Sequence, residues 1–526
     1  MKLLVFSTMF LWLCIAVVCL FRKPTDQKVK RMSGYMETNL MVRISKISWF
    51  AIFVAVVLGG CARLPIGVKP ISRMVEPEKL DVGSAIDAEK KHPVPWPSQE
   101  WWKVYEDPQL DRLIAEAIAG NPTMHIAQSR IAISKAVGGI ARSALMPTVQ
   151  TGASFTREQF TEHYFIPPPF AGNWAWYNEW TTGLFYDLDL WGKNRSALAG
   201  ALDQVQMTTA EAQEVRLALE TAVIRLYVQL SLQYSLLDVA QETLHQREQI
   251  RDILKKRHST GLGTEIELRQ AETVVPAARA EIERISESIE ILRNRLSALA
   301  GKGPGYGEQI RRPTLSLALP IGLPSTIQAD LLGRRPDVVA QRWRVEAAGK
   351  GIDVAKASFY PNINFSAFVG WQSLGFDKFL SSESLIKGFG PAISLPIFEG
   401  GRLKEQLRTS TAEYDIAVEA YNNTLIHAIE EVANEVITLR SLEIQRNETY
   451  QSHSLAFRAY DIALSGFKAG LSDYLTVLNA QTQTLVESQR KAQVEAHTLD
   501  AYGALMQAIG GGVPVNPPLA KTGASK

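Results

Sequence analysis

The sequence NINFSAFVGWQ, residues 362–372, alternates between apolar and polar side chains. Successive residues of an extended strand point to opposite faces. One face then carries the apolar side chains of Ile363, Phe365, Ala367, Val369 and Trp371. A segment of about ten residues that is apolar on one side only has the length and pattern of a transmembrane β-barrel strand.

Three further segments show the same alternation. The four predicted strands are residues 148–157, 179–190, 362–372 and 388–398. Four strands cannot enclose a water-filled pore, and open strand edges are not viable in lipid. The pattern therefore predicts an oligomer, since three chains of four strands would supply the twelve strands of a barrel.

A long helix is predicted after each strand pair. The stretches Gly192–His258 and Gly401–Phe467 each contain 67 residues and no proline. Such a helix is about 100 Å long, so it must pack against partner helices as in a coiled coil. Pro276, inside the first return helix, predicts a kink or a break there.

Each long helix is predicted to end in a tight turn. Gly261 and Gly470 end the first and the second helix. Thr264 and Glu267 have the spacing of a capping box that starts the first return helix. In the second turn, a Ser-Asp pair after Gly470 offers two possible N-cap residues. Each half of the chain is thus expected to form a strand hairpin at one end and a helical tip at the other.

The two halves also match each other in sequence, at offsets of 207 to 214 residues. The matching pairs are Asn121-Pro122 with Arg335-Pro336, Leu188–Trp191 with Leu395–Phe398, and Gly261-Leu262 with Gly470-Leu471. An internal repeat is therefore predicted. Its units are residues 108–300, with a tip at 259–264, and residues 326–510, with a tip at 468–473, joined by a linker at 301–325.

The N-terminal region has the pattern of a secretion signal. Arg43 and Lys46 precede the apolar run Ile47–Ala62, which contains Leu58-Gly59-Gly60-Cys61. This tetrapeptide resembles the lipobox of bacterial lipoproteins. In that interpretation Cys61 carries a covalent lipid that holds the mature N-terminus on a membrane, and no other cofactor is expected.

The cysteine count supports this interpretation. The chain contains Cys14, Cys19 and Cys61, so a mature chain that starts at Cys61 has no pair for a disulfide. The alternative is an ordinary signal or membrane helix that happens to contain a cysteine. Ala62 follows Cys61, whereas lipoproteins retained at the inner membrane typically have Asp there, so an outer-membrane location is expected.

The signal interpretation sets the terminal boundaries. Residues 1–60 are expected to form the signal region, with the true start at Met41 or Met36, and residues 61–107 an N-terminal lipoprotein segment. A flexible tail is expected at residues 511–526.

The composition argues for a folded protein without enzymatic chemistry. Hydrophobic residues make up 46% of the chain, which excludes a disordered protein. The net charge of +2, from interleaved acids and bases, gives no indication of nucleic-acid binding. No common catalytic or phosphate-binding motif is present, no metal site is expected, and the glycine-rich residues 301–307 are interpreted as linker. The alternatives are an enzyme and a periplasmic coiled-coil scaffold or adaptor without a pore.

Seven motifs occur in an order that resembles a known family. They are WWxxYxDPxL at 101–110, Asn121-Pro122, DLDLWGKNR at 187–195, LGRRPDV at 332–338, FYPNI at 359–363, FEGGR at 398–402 and GLxxYLxVLxAQ at 470–481. Together they are similar to the outer-membrane efflux lipoproteins of the NodT type, within the TolC-like outer membrane factors. The loop PPPFAG at 167–172 further resembles members linked to export of fusaric acid and aromatic compounds.

This resemblance implies a fold and a function. The fold is an α+β membrane protein: a homotrimeric twelve-stranded β-barrel, four strands per chain, continued by a long α-helical coiled-coil tunnel in the periplasm. The implied function is the outer-membrane channel of a tripartite drug or toxic-compound efflux system. The implied partners are a periplasmic membrane-fusion adaptor, an inner-membrane pump of the RND or aromatic-acid exporter type, and outer-membrane lipid.

The resemblance also implies functional sites at the periplasmic end. The two tips, Gly261-Leu262 and Gly470-Leu471, are expected to dock the adaptor, although the same residues would serve simple helix capping. TolC-like proteins constrict the tunnel with rings of carboxylates, whose matching positions here are the uncharged Thr476 and Asn479. On the first return helix the matching acid is Glu267, which could equally serve only the capping box.

Overall fold

The computed structural model describes most of the chain from residue 65 onwards. The described residues are 65, 67–81, 83, 86, 94–163, 165–320, 322 and 333–512. The predictions for residues 1–60, Cys61 and Ala62, and for the tail beyond residue 512, lie outside them.

Four antiparallel strands form one sheet in the order β1-β2-β3-β4. The strands are β1 (Thr148–Gln159), β2 (Trp174–Asp187), β3 (Asn362–Leu374) and β4 (Leu385–Ser394). Within the described residues, β1 pairs only with β2, and β4 pairs only with β3. Both outer edges of the sheet are therefore open.

The register separates an apolar face of the sheet from a polar one. Trp180 lies opposite Trp371, and their rings are 5.3 Å apart on the apolar face. Glu179 lies opposite Gln372 on the other face, which we call the polar face. The alternation predicted for residues 362–372 is confirmed in β3.

The predicted bounds of β2, 179–190, were wrong at both ends. The strand begins earlier, at Trp174, and ends at Asp187. A turn follows because the Asp187 Oδ1 accepts a hydrogen bond from the Asp189 amide at 3.1 Å. Asp189 itself has a left-handed backbone, φ 42°, which an extended strand does not contain.

The predicted bounds of β4, 388–398, were wrong in the same way. The strand begins at Leu385 and ends at Ser394. Pro396 follows two residues later, and a proline has no amide hydrogen to continue the ladder. The apolar residues Ile397 and Phe398 therefore lie beyond the strand.

The helices include two very long ones. They are α1 (Pro108–Gly120), α2 (Pro122–Ser143), α3 (Lys193–Ser259), α4 (Glu265–Leu299), α5 (Pro336–Ala357), α6 (Arg402–Lys468) and α7 (Tyr474–Ala508). The 67 residues of α3 and of α6 make each about 100 Å long. Both start one residue later than predicted, because Gly192 and Gly401 have left-handed backbones, φ 74° and 90°. Helix α4 runs through Pro276 without the break that was one predicted outcome.

The two long helices, α3 and α6, each pass through two successive layers of four helices. In the layer next to the sheet the helices are neighbours in the order α2-α3-α5-α6, and in the layer towards the tips the order is α4-α3-α7-α6. Among the described residues, none of the helices is both long and apolar enough to cross a bilayer.

A buried core joins these layers near the middle of α3 and α6. Trp101 and Trp102 are 4% and 5% exposed and pack edge to face, so both rings are part of this core. The Arg335 Nε donates to Asp337 Oδ1 at 2.9 Å, and its Nη1 donates to the Ala508 carbonyl at 3.0 Å. Arg335 thus braces the start of α5 against the end of α7.

Candidate functional site

The candidate site comprises the two turns at the far ends of the long helices. At the first tip, Gly261 takes the left-handed conformation, φ +75°, and the Leu262 amide donates to the Arg257 carbonyl at 2.9 Å. This Schellman arrangement satisfies carbonyls that the helix end would otherwise leave unpaired. A Cβ at Gly261 would meet nothing within 4 Å, so glycine is required here by backbone conformation and not by lack of room.

The second tip repeats this geometry. Gly470 has φ +78°, and the Leu471 amide donates to the Gly466 carbonyl at 2.8 Å. The N-cap of α7 is Asp473, whose Oδ1 accepts from the Thr476 amide at 2.8 Å and from its hydroxyl at 2.6 Å. The Thr476 hydroxyl and amide lower the pKa of Asp473, because both hydrogen bonds favour the charged carboxylate.

Both tips expose large apolar side chains. Leu262 and Leu471 are 73% and 85% exposed, and four residues later Ile266 and Leu475 are 71% and 57% exposed. We call these four residues the tip surface. The sequence pattern did not reveal Ile266 and Leu475, because the leucines lie in the turns and only Ile266 and Leu475 lie in the helices that follow.

A small core beneath the tip surface connects the two hairpins. It contains residues from the ends of four helices: Ile250, Leu254, Ala271, Tyr460, Ala463, Phe467, Tyr474 and Val477. The Arg257 guanidinium lies 4.9 Å from the centre of the Phe467 ring, a cation–π contact from one tip to the other. The two predicted docking segments therefore form one structural unit.

The predicted gate residues lie in the first turn of α4 and the first two turns of α7. The Thr264 amide donates to Glu267 Oε2 at 3.0 Å, and the Glu267 amide donates to Thr264 Oγ1 at 3.3 Å. The predicted capping box is thus confirmed. Among the hydrogen bonds of the described residues, none joins Glu267 to Thr476 or Asn479, and Asn479 is exposed.

Arg247 is a charged group of the tip region that the sequence did not reveal. Its Nη1 donates to the Val274 carbonyl at 3.2 Å, two residues before Pro276. Burial lowers the pKa of Arg247, and within the described residues its buried Nε has no hydrogen-bond partner. This guanidinium joins α3 to α4 beside the proline.

The DLDLWGKNR motif lies at the opposite end, where β2 meets α3. Asp189 Oδ2 accepts from the Arg195 amide at 2.9 Å and from the Arg195 Nε at 3.2 Å. The Trp191 ring stacks on Tyr360 at 4.8 Å, and its Nε1 donates to the Pro361 carbonyl at 2.7 Å. The motif therefore fixes the turn from sheet to helix.

Comparison with known proteins identifies related sequences over most of the chain. A sequence profile of the family described as outer membrane efflux protein matches residues 113–302 and 328–511. The fusaric acid resistance protein FusA of Burkholderia cepacia is 46% identical over 362 residues, 68% of this chain and 68% of that protein. The multidrug resistance outer membrane protein MdtP of Escherichia coli K12 is 29% identical to this chain. The match covers 88% of this chain and 96% of MdtP.

The fold is also similar to a solved structure. The outer membrane protein VceC of Vibrio cholerae superposes with a TM-score of 0.74 at 34% sequence identity. The match covers 79% of this chain and 99% of VceC.

Proposed function

We propose a role in export on one premise: the chain belongs to the outer membrane efflux protein family. It is an efflux channel of the outer membrane with a large periplasmic part, and not an enzyme. Its proposed role is that of the outermost component of a tripartite system, which receives substrates from a periplasmic adaptor and an inner-membrane pump.

The proposed working form is a homotrimer with a twelve-stranded barrel. The observation that supports it is the four-stranded sheet, which has one apolar face, one polar face and two open edges. Pairing β4 of each chain with β1 of the next would satisfy both edges, as lipid requires. The polar face would then line the lumen, and the apolar face would contact lipid.

The outer helices support the same assembly. Exposed apolar side chains form a stripe along α2, consisting of Ile126, Ile133, Val137 and Ile140. Their spacing places them on one side of the helix. On the other outer helix, Ile416 and Ile426 of α6 are also exposed. We propose that these two surfaces pack against each other between neighbouring chains.

Reconstitution in planar bilayers tests the proposed function. The purified chain should sediment as a trimer and conduct ions when added to one side of the bilayer. A stable trimer without conductance would contradict the channel and favour the pore-free scaffold. A monomer without conductance would contradict both.

We also propose that Cys61 carries the lipid anchor. From Val75 back to Ile71 the chain runs along α6 towards the sheet: the Val75 amide donates to Asn422 Oδ1 at 2.8 Å, and the Ile71 amide donates to Asp415 Oδ1 at 2.9 Å. Asp415 lies 13 residues from Arg402, where α6 begins, or about 20 Å.

The chain length is compatible with such an anchor. Cys61 is ten positions before Ile71, and ten extended residues span at most about 35 Å. Cys61 can therefore reach the membrane surface near the start of α6. Mass spectrometry of the mature N-terminus should find a triacylated Cys61; an unmodified cysteine, or cleavage at another residue, would contradict the anchor.

The tip surface is the proposed docking site for the adaptor. Its four exposed apolar side chains lie near two glycines whose Cβ positions are open, so a partner helix can approach the backbone closely.

Replacing Leu471 by Asp should abolish crosslinking to the adaptor and resistance to the exported compound while leaving the trimer intact. The matched control is Leu455→Asp, an exposed position of α6 away from the tips. If Leu471→Asp keeps both the crosslinking and the resistance, docking at the tip surface is contradicted.

A charged constriction inside the tips is proposed as the gate. Three copies of Glu267 around a threefold axis would form one acidic ring, with the uncharged Thr476 and Asn479 on the second return helix. The capping hydrogen bond from Thr264 holds the Glu267 carboxylate at a defined position in the first turn of α4.

Aromatic compounds are the proposed exported class, with a pump of the RND or aromatic-acid exporter type. The proposal rests on the similarity to a fusaric acid resistance protein and on the PPPFAG loop, which connects β1 to β2. Expression with its neighbouring adaptor and pump genes in a sensitive strain should raise resistance to fusaric acid. Unchanged sensitivity, with all three proteins present, would contradict this class.

A further inference from the structure

Two phenylalanine rings lie on the polar face of the sheet. Phe185 of β2 and Phe368 of β3 are 50% and 46% exposed. The register places Phe185 opposite Ser366 and Phe368 opposite Gly183, so the two are diagonal neighbours on one face. Apart from Ile386, their surroundings on this face are polar or small, and include Gln150, Gly152, Thr181, Asn364, Ser366 and Gly390.

Each ring lies against the backbone of a glycine. A Cβ at Gly183 would come within 3.0 Å of Phe185 Cε2, and a Cβ at Gly388 within 2.7 Å of Phe368 Cε1. Neither glycine has a positive φ, so backbone conformation does not require it. A glycine inside a strand often marks the close approach of another group. Here that group is an aromatic ring that lies along the polar face of the sheet.

The rings border a concavity on the same face. Its volume is about 530 Å³, and its lining includes both phenylalanines together with Gln150, Thr181 and Ile386. This volume is in the range of small-molecule sites, which combine apolar surfaces with a few polar groups. The concavity therefore offers room for one planar molecule against an aromatic surface.

The charge of the lining narrows the class of ligand. Glu179 contributes the one charged side chain among the described lining residues. Its Oε2 accepts a hydrogen bond from the Tyr177 hydroxyl at 2.8 Å. A carboxylate disfavours an anion beside it, so an uncharged or cationic aromatic molecule fits better than an aromatic anion.

We propose that Phe185 and Phe368 form a binding site in the channel lumen for planar aromatic solutes that carry no negative charge. The proposal rests on the proposed function, because the polar face lines a lumen only in the trimer. Three chains would contribute six rings around the lumen. Aromatic solutes stack on such rings weakly and without strict specificity, which suits a channel in which a solute must both enter and leave.

Saturation-transfer NMR on the trimer in lipid nanodiscs tests the proposal, with indole as the probe and cyclohexanol as the nonaromatic comparison. The double variant Phe185→Leu/Phe368→Leu keeps apolar side chains but removes the rings. It should reduce the protein-dependent indole signal about fivefold, because ring stacking is lost. The cyclohexanol signal should stay unchanged.

Phe365→Leu is the matched control, since Phe365 lies on the opposite face of β3. This variant should bind indole like the wild type. Phe185→Tyr/Phe368→Tyr should also retain the signal, because the aromatic faces remain. An equal indole signal in the Leu double variant and the wild type, or an equal loss in Phe365→Leu, would overturn the proposal.

Bilayer conductance of the same preparations separates this proposal from the proposed function. A conducting wild-type trimer without a ring-dependent indole signal overturns the aromatic site alone. A trimer that does not conduct overturns the channel and the site together. If the Leu double variant does not assemble, each single Phe→Leu variant is compared with its Phe→Tyr counterpart, and equal signals overturn the site.

Discussion

The Tyr227 hydroxyl donates a 2.8 Å hydrogen bond to Asp107 Oδ2 across 120 residues of sequence. Asp107 Oδ2 also accepts from the Thr314 amide at 2.8 Å, and its Oδ1 caps α1 through the Gln109 amide at 2.9 Å. Burial and the Asp107 carboxylate raise the pKa of Tyr227, so the hydroxyl stays protonated and remains a donor. One carboxylate thus joins α1, α3 and the linker after α4.

Tyr227→Phe should lower the free energy of unfolding by about 1–2 kcal/mol, because it leaves a largely buried carboxylate short of one donor. Thermal unfolding of the purified protein measures the change. Tyr450→Phe is the control, since the Tyr450 hydroxyl donates to Glu495 in an exposed contact. If both variants lose a similar free energy of unfolding, the buried hydrogen bond contributes no more to stability than the exposed one.

Ile133→Glu should destabilise the trimer. In the proposed assembly this side chain, 65% exposed in the single chain, becomes covered by α6 of the neighbouring chain. Burying an unpaired carboxylate there should reduce the trimer fraction at least about tenfold, as measured by analytical ultracentrifugation. Ala132→Glu introduces the same charge at an exposed position away from the apolar stripe and should assemble normally. Assembly of Ile133→Glu like the wild type would place the interface elsewhere.

Glu267→Gln should reduce the cation selectivity of the closed channel without unfolding the trimer. The amide oxygen of Gln can still accept from the Thr264 amide, so the cap is retained while three negative charges are lost. Single-channel reversal potentials in a salt gradient measure the change. Glu265→Gln is the control, because Glu265 is exposed and forms an ion pair with Arg269. Equal effects of the two variants would argue against a specific Glu267 ring.

Asn479→Asp should increase cation selectivity. It adds a second carboxylate ring on α7, and in the proposed constriction of the trimer, where water screens charges poorly, this ring would strengthen the field. The same reversal potentials provide the measurement. If neither Asn479→Asp nor Glu267→Gln changes the reversal potential, the constriction lies outside the first two turns of α4 and α7.

The sequence predicted those features that depend on local chemistry. Both 67-residue helices, the glycine turns and the capping box at Thr264 follow from the absence of proline, the left-handed preference of glycine and hydrogen bonds three residues apart. The alternation of residues 362–372 likewise predicted which side chains share a face of β3.

Strand ends were predicted less well, since competing local contacts decide them. The apolar residues Leu188 and Leu190 continue the alternation of β2, yet the Asp187 side chain turns the backbone before them. In α4, Pro276 was predicted to cause a kink or a break; the break is absent, and Arg247 of α3 contacts the backbone beside the proline.

By itself the sequence determined the strands, the long helices, their caps and the family, because each depends on residues close together in the chain or on motifs in a fixed order. Only the tertiary structure decided which distant groups meet. The contact of Arg257 with Phe467, the hydrogen bond of Tyr227 to Asp107 and the diagonal pair of Phe185 and Phe368 are examples. These contacts depend on helix packing and strand register, and neither is determined by local sequence preference.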